Sequence, residues 1–216
     1  MVPERPRTRD AIARERGLIS GACQGAVLAM ATAMNTFKAD IDRIRESARE
    51  KMQDGPITEQ YTADRTKVVS VLNEVLATEI VCTLRYKNHY FMAQGIHSQA
   101  IAEEFLEHSR EEEMHADLVA KRITELGGVP NMNPKDLMTR SHAQYVECDT
   151  LVEMIKEDLV AERIAVATYN EIIRWLGNDD ITTRRMIESI LAKEEEHADD
   201  LQKLLVHMDK RNDQSS

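Results

Sequence analysis

The segment Glu112-Glu113-Met114-His115-Ala116-Asp117 returns, with one change, as Glu194-Glu195-Glu196-His197-Ala198-Asp199. Each copy lies in a long stretch without Pro or Gly, where apolar residues recur every three or four positions, so both sit on helices. Each has a matching partner upstream. Glu79 is followed seven residues later by Tyr86, and Glu162 seven residues later by Tyr169. The copies are offset by 83 residues for the lone glutamates and by 82 for the Glu-x-x-His pairs. Two helical hairpins with the same chemistry imply a pseudo-twofold axis between them.

Working outward, the punctuation predicts four long helices. The first runs from about Tyr61 to Gln94 and ends at Gly95. Its stripe is Val68, Val71, Leu72, Val75, Leu76, Ile80 and Leu84, interrupted by the carboxylate of Glu79. The second is capped by Ser98 and reaches Leu126 before Gly127-Gly128. Residues 128–147, with Pro130 and Pro134, read as a long connection holding one short helical turn. Asp149 caps the third helix, which ends at Leu176 before Gly177. Asp179-Asp180 caps the fourth, which runs to about Met208. The fold class is therefore all-α: a four-helix bundle with a long crossover between helices two and three. Aromatics at 4%, five Pro and eight Gly exclude a sandwich or barrel.

Positions i and i+3 share a helix face, so Glu112 converges with His115 and Glu194 with His197. One inward carboxylate from each partner helix adds Glu79 and Glu162. Six such ligands can surround two metals. Glu112 and Glu194 would bridge, with Glu79 and His115 on one ion and Glu162 and His197 on the other. Four carboxylates balance two divalent cations, whereas unpaired burial of the same groups would be very costly. Imidazole with carboxylate suits Fe, Mn or Zn, and redox chemistry narrows this to Fe or Mn. Chance alone supplies fewer than one Glu-x-x-His in a chain of this composition. The shared context, and a Glu79 set inside an apolar stripe, carry the assignment. Glu113, Glu195 and Glu196 read as solvated.

The net charge of −10 is uneven: +2 over residues 1–55 and −12 over 56–216. An acidic body attracts cations and opposes wrapping by nucleic acid. Residues 1–55 read as an extension, 56–210 as the bundle and 211–216 as a disordered tail. Within the extension, Ile41, Ile44, Ala48 and Met52 mark a short amphipathic helix, and the uncharged run from Gly17 to Phe37 is too polar and Ala-rich for a membrane span. Three cysteines (Cys23, Cys82 and Cys148) and no Cys-x-x-Cys exclude a disulfide scaffold, and place the chain in a reducing cytoplasm.

At these motifs the chain resembles the ferritin-like superfamily, and bacterioferritin most of all, over residues of about 60–208. The Asp158-Leu159-Val160-Ala161-Glu162 segment adds to the likeness. The resemblance implies an up-down-down-up bundle in which the six ligands form a di-iron ferroxidase centre with two Fe per subunit, Mn and Zn being substitutes. Fe(II) would be oxidised with O2 or hydrogen peroxide, and ferric mineral stored inside a homo-oligomeric shell. Tyr86 matches a tyrosine beside that centre, which would bond a carboxylate or donate an electron. Two departures matter. Bacterioferritin's haem-ligating Met is replaced by Glu113, which argues against haem. Only 19 residues follow His197, leaving no fifth helix, which favours a 12-subunit Dps-like shell over one of 24. Another di-metal oxidoreductase, such as a rubrerythrin-like peroxidase or manganese catalase, ranks second. A DNA-protecting assembly binding through the Arg-rich tail ranks third.

Overall fold

The computed structural model describes residues 37–93 and 98–213, and the chain divides into two compact units, residues 1–52 and 53–216. In the first unit, α1 (Ile41–Glu50) is capped by Asp40, whose carboxylate accepts from the Arg43 N–H. Ile41 and Ile44 on it are exposed. The uncharged run up to Thr36, the turn at Gly95 and residues 214–216 lie outside the described residues.

The second unit is built on four long helices. The first, α2 (Arg65–Met92), starts four residues later than the periodicity predicts, because Asp64 accepts from the Thr66 and Lys67 N–H groups and fixes the start there. Its inward line is Val68, Leu72, Val75, Glu79, Cys82, Tyr86 and His89, alternating steps of four and three. Leu84 falls off that line and is exposed, a correction to the expected stripe. The second long helix, α3 (Ser98–Glu125), has Ser98 as its first helical residue. A single-turn helix, α4 (Leu137–Arg140), sits in the connection. The third long helix, α5 (Leu151–Leu176), is capped by Thr150 rather than Asp149. Thr150 and Glu153 form a reciprocal capping box, a Thr-x-x-Glu signature present in the sequence. The last, α6 (Ile181–Asp213), is opened by Asp180, which accepts from the Thr183 N–H at 2.8 Å. Its partner in the expected cap, Asp179, accepts instead from the Thr62 hydroxyl. The helix continues past Met208 to Asp213.

Side-chain pairings give the topology. Ser109 on α3 donates to the Thr83 carbonyl on α2, and Val69 and Ile123 flank Gly128, so α2 and α3 are antiparallel. Arg85 meets Asp158, while Tyr169 meets Glu79, so α5 runs against α2. Arg122 meets Thr183 and Glu111 meets His197, so α6 runs against α3. The order is up-down-down-up. Since α3 and α5 point the same way, the chain between them must return the length of the bundle, which is why it needs 25 residues (126–150). Polar groups on α2 pin this strap. The Asn73 side chain accepts from the Asn131 N–H at 2.7 Å, Thr78 accepts from the His142 N–H at 2.9 Å, and Arg85 donates to the Gln144 carbonyl at 2.8 Å.

The strap leaves α3 through Gly127, at a φ of +77°, and Gly128, whose N–H bonds the Ile123 carbonyl at 2.9 Å. A Cβ on Gly128 would lie 2.6 Å from the Cγ1 of Val69, a β-branched side chain with little freedom to turn away. Gly128→Ala is therefore expected to destabilise the bundle by about 1–3 kcal/mol, the usual cost of overpacking, read as a lower thermal midpoint.

Among the described residues, two large apolar clusters fill the bundle, with two smaller ones beside the strap. Of the large clusters, one centres on Leu72, Val75, Ile123, Tyr169 and Ile187, and the other on Tyr86, Phe105, Ile155 and Leu201. Each fully buried aliphatic side chain here contributes about 1.5–3 kcal/mol. The Glu and His residues of the repeat lie along the helices between these two plugs.

Candidate metal centre

The structure brings the six residues singled out in the sequence together. Glu79, Glu112, Glu162 and Glu194 are each 1% exposed, and His115 and His197 are buried beside them. They form two overlapping groups. Donor atoms of Glu79, Glu112, His115 and Glu194 lie within 4.8 Å of one another, as do those of Glu112, Glu162, Glu194 and His197. Glu112 and Glu194 belong to both groups, the placement a bridging carboxylate requires. His115 Nδ1 stands 3.0 Å from Glu194, 3.5 Å from Glu79 and 3.6 Å from Glu112. His197 Nδ1 stands 3.3 Å from Glu112, 3.5 Å from Glu194 and 4.0 Å from Glu162. Both imidazoles thus turn the same nitrogen inward.

The protonation of the cluster follows from this crowding. Burial pushes Glu79 up to about 8, helped by the Glu112 charge, and burial with the charges of Glu112 and Glu194 raises Glu162 well above the carboxylate range. Burial would lower both histidines, but their carboxylate neighbours outweigh it and push His115 up to about 12 and His197 to about 11. Glu194, between the two imidazoliums, is held below the usual range despite its burial. Protons on Glu79, Glu162 and the two histidines thus offset four carboxylate charges, the amount two divalent cations neutralise. Several inward atoms, among them Glu112 Oε1, both Glu194 oxygens and Nδ1 of both histidines, have no hydrogen-bond partner. Buried polar atoms left without partners call for an explanation, and an ion held among them supplies one. The donor set, its burial and its orphaned atoms fit two metal ions.

Tyr86 donates its hydroxyl to Glu162, and Tyr169 donates to Glu79. Each tyrosine on one helix thus holds the buried glutamate on the facing helix, in a reciprocal crossing that follows the pseudo-twofold axis. Both tyrosines belong to the repeat, but only Tyr86 carried an expected role. The signal for Tyr169 was the same Glu-to-Tyr spacing in α5. Burial, with the Glu162 charge for Tyr86 and the Glu79 charge for Tyr169, keeps both phenols protonated.

Sequence reasoning missed three further groups. Glu111 bonds His197 Nε2 at 2.7 Å and Lys193 at 3.2 Å. These two partners hold its carboxyl below the usual range against the upward push of burial. A carboxylate on the outer nitrogen of a ligating imidazole fixes its tautomer and orientation. His108 stacks on His197, with ring centroids 4.0 Å apart. Burial, then the His197 charge, lowers His108 to about 3, so it is neutral. Beyond the other end of Tyr86, Asp158 binds Arg85 Nε at 2.9 Å and His89 Nδ1 at 2.8 Å, all three fully buried. Glu113, where bacterioferritin's haem Met would stand, is exposed, as is Met114. No helix among the described residues is long and apolar enough to cross a membrane.

Comparison with known proteins agrees with this geometry. Residues 69–211 match the ferritin-like domain model. The bacterioferritin of Mycobacterium avium is 32% identical over 145 residues, covering 67% of this chain and 87% of that protein. A DNA protection during starvation protein of Pyrococcus furiosus is 30% identical over 147 residues, covering 65% of this chain and 78% of the relative. Among solved structures, a dodecameric thioferritin, the bacterioferritin-related protein of Bacteroides fragilis, superposes with a TM-score of 0.68 at 31% identity, covering 71% of this chain and 92% of that one. With the family match spanning most of the bundle and its two mirrored Glu-x-x-His helices, the chain belongs to the ferritin-like domain family.

Proposed function

We propose that this protein takes up Fe(II) as its substrate, oxidises it with O2 or hydrogen peroxide at the six-residue centre, and stores the ferric product inside a shell of its own copies. The observation that carries this reading is the pair of buried clusters sharing Glu112 and Glu194. Two irons held there would each give up one electron, so a two-electron oxidant is reduced in one encounter. The chain's own residues do the rest. Glu112 and Glu194 set the spacing, and Glu79 with His115 and Glu162 with His197 define two equivalent positions. Tyr86 and Tyr169 orient the terminal carboxylates, and Glu111 orients His197. The apolar plugs on either side keep water from the cluster.

The dodecamer formed by the Bacteroides fragilis relative supports a 12-subunit shell for this chain. A cytoplasmic setting agrees with the free thiols of Cys82 and Cys148. Manganese or zinc would occupy the same donors.

Aerobic loading with excess Fe(II), followed by size-exclusion chromatography with iron and protein assayed in each fraction, tests the reading. The expected result is tens of irons per subunit co-eluting with a large particle. About two metals per subunit on a small oligomer, the content of a lone di-metal site, would replace storage by another di-metal oxidoreductase.

A further inference from the structure

The ligand row does not end at the dinuclear cluster. On α3 the positions 104, 108, 112 and 115 follow at steps of four and three, and on α6 the positions 194, 197 and 200 follow at steps of three. Residues so spaced stand one above the other on a helix face. Glu104, His108 and Asp200 therefore extend the two facing rows by one more level. A donor atom from each lies within 4.8 Å of the others.

His108 is the unusual member. It is 2% exposed, yet its Nδ1 has no hydrogen-bond partner, and its Nε2 points at Glu104 from 3.6 Å, too long for a good bond. A buried imidazole left so poorly bonded is costly unless something else takes its lone pair. One face of the ring lies against His197, at an interplanar angle of 22°. The side chains of Glu104 and Asp200 are each 34% exposed. The cluster is thus open to solvent on one side and stacked on the dinuclear centre on the other. Asp200 already accepts from Lys203 at 3.1 Å, but Lys203 also reaches Asp199 and is half exposed, so this contact is weak and exchangeable.

We propose that Glu104, His108 and Asp200 form a third, mononuclear site for a divalent transition-metal ion, separated from the dinuclear centre only by the His108–His197 stack. One imidazole with two carboxylates suits Fe(II), Mn(II), Co(II) or Zn(II), whereas Mg(II) and Ca(II) prefer oxygen alone. Three protein donors leave the remaining positions to water, so an ion held there exchanges with solvent. The binding itself does not depend on the ferroxidase reading.

Co(II) is the probe. Full-length protein is soaked as crystals for anomalous difference maps and dialysed in solution for stoichiometry. The wild type is expected to hold three ions per subunit, one of them among Glu104, His108 and Asp200. The double variant Glu104→Ala with Asp200→Ala should keep the two dinuclear peaks and lose the third, as should the isosteric Glu104→Gln with Asp200→Asn if the first folds poorly. Glu112→Ala with Glu194→Ala should do the reverse. No third peak when the dinuclear positions are filled, or three ions retained in both double variants at 104 and 200, overturns the proposal. A third peak with empty dinuclear positions would sink the dinuclear reading and leave this site standing.

Discussion

Replacing Glu112 or Glu194 by Ala is expected to slow Fe(II) oxidation by at least about 100-fold, because loss of an outer partner alone costs a metal centre about 10–100-fold and these residues would touch the ions directly. Each of the two serves both donor groups, so one truncation disables both positions at once. Helical content by circular dichroism should stay unchanged, since the apolar plugs flanking the cluster are untouched. Stopped-flow absorbance during addition of two Fe(II) per subunit is the measurement. Wild-type rates in both variants would remove the centre from the reaction.

The largest stability effect belongs to Asp158. Among the described residues it is the sole carboxylate bonded to Arg85, and both lie in the bundle interior. Asp158→Ala strands a guanidinium that has no water to turn to, at a cost of about 3–5 kcal/mol. For a chain of this size that lowers the thermal midpoint by roughly 10 °C. Arg85→Met combined with Asp158→Leu should recover only part of the loss, because an apolar pair has no charge to desolvate but leaves the buried His89 without its 2.8 Å partner. A midpoint in Asp158→Ala within a degree or two of wild type would mean that Arg85 finds another acceptor. Its Nη2 is unbonded and its Nη1 already uses the Gln144 carbonyl, so no such acceptor is in place.

Helix number, order and the convergence of the six candidate residues were legible because they rest on local periodicity and on a repeat within one chain. The apolar stripe with Glu79 inside it announced a buried carboxylate before any contact was visible. What was not legible depends on which helix faces which. The crossing of Tyr86 to Glu162 and of Tyr169 to Glu79 needs α2 set antiparallel to α5 in one register. The Arg85–Asp158–His89 group and the His108–His197 stack likewise join residues that no spacing rule connects. The caps divide the same way. Asp64 and Thr150 both obey a local rule, and beside Thr150 the acidic Asp149 offers a competing cap signal that only the structure resolves. Leu84 continues the hydrophobic run but lies off the alternating four-three line that faces inward, so hydrophobicity alone does not place it.

The strap over residues 126–150 joins two hairpins that divide the candidate ligands evenly. Glu79, Glu112 and His115 lie on one side of it, and Glu162, Glu194 and His197 on the other. A chain severed in the strap would yield two fragments, neither holding a complete donor set nor able to cover its own apolar face. If the centre binds ions as proposed, reassociation would be rewarded by that binding, making the bundle a two-piece reporter whose assembly responds to metal.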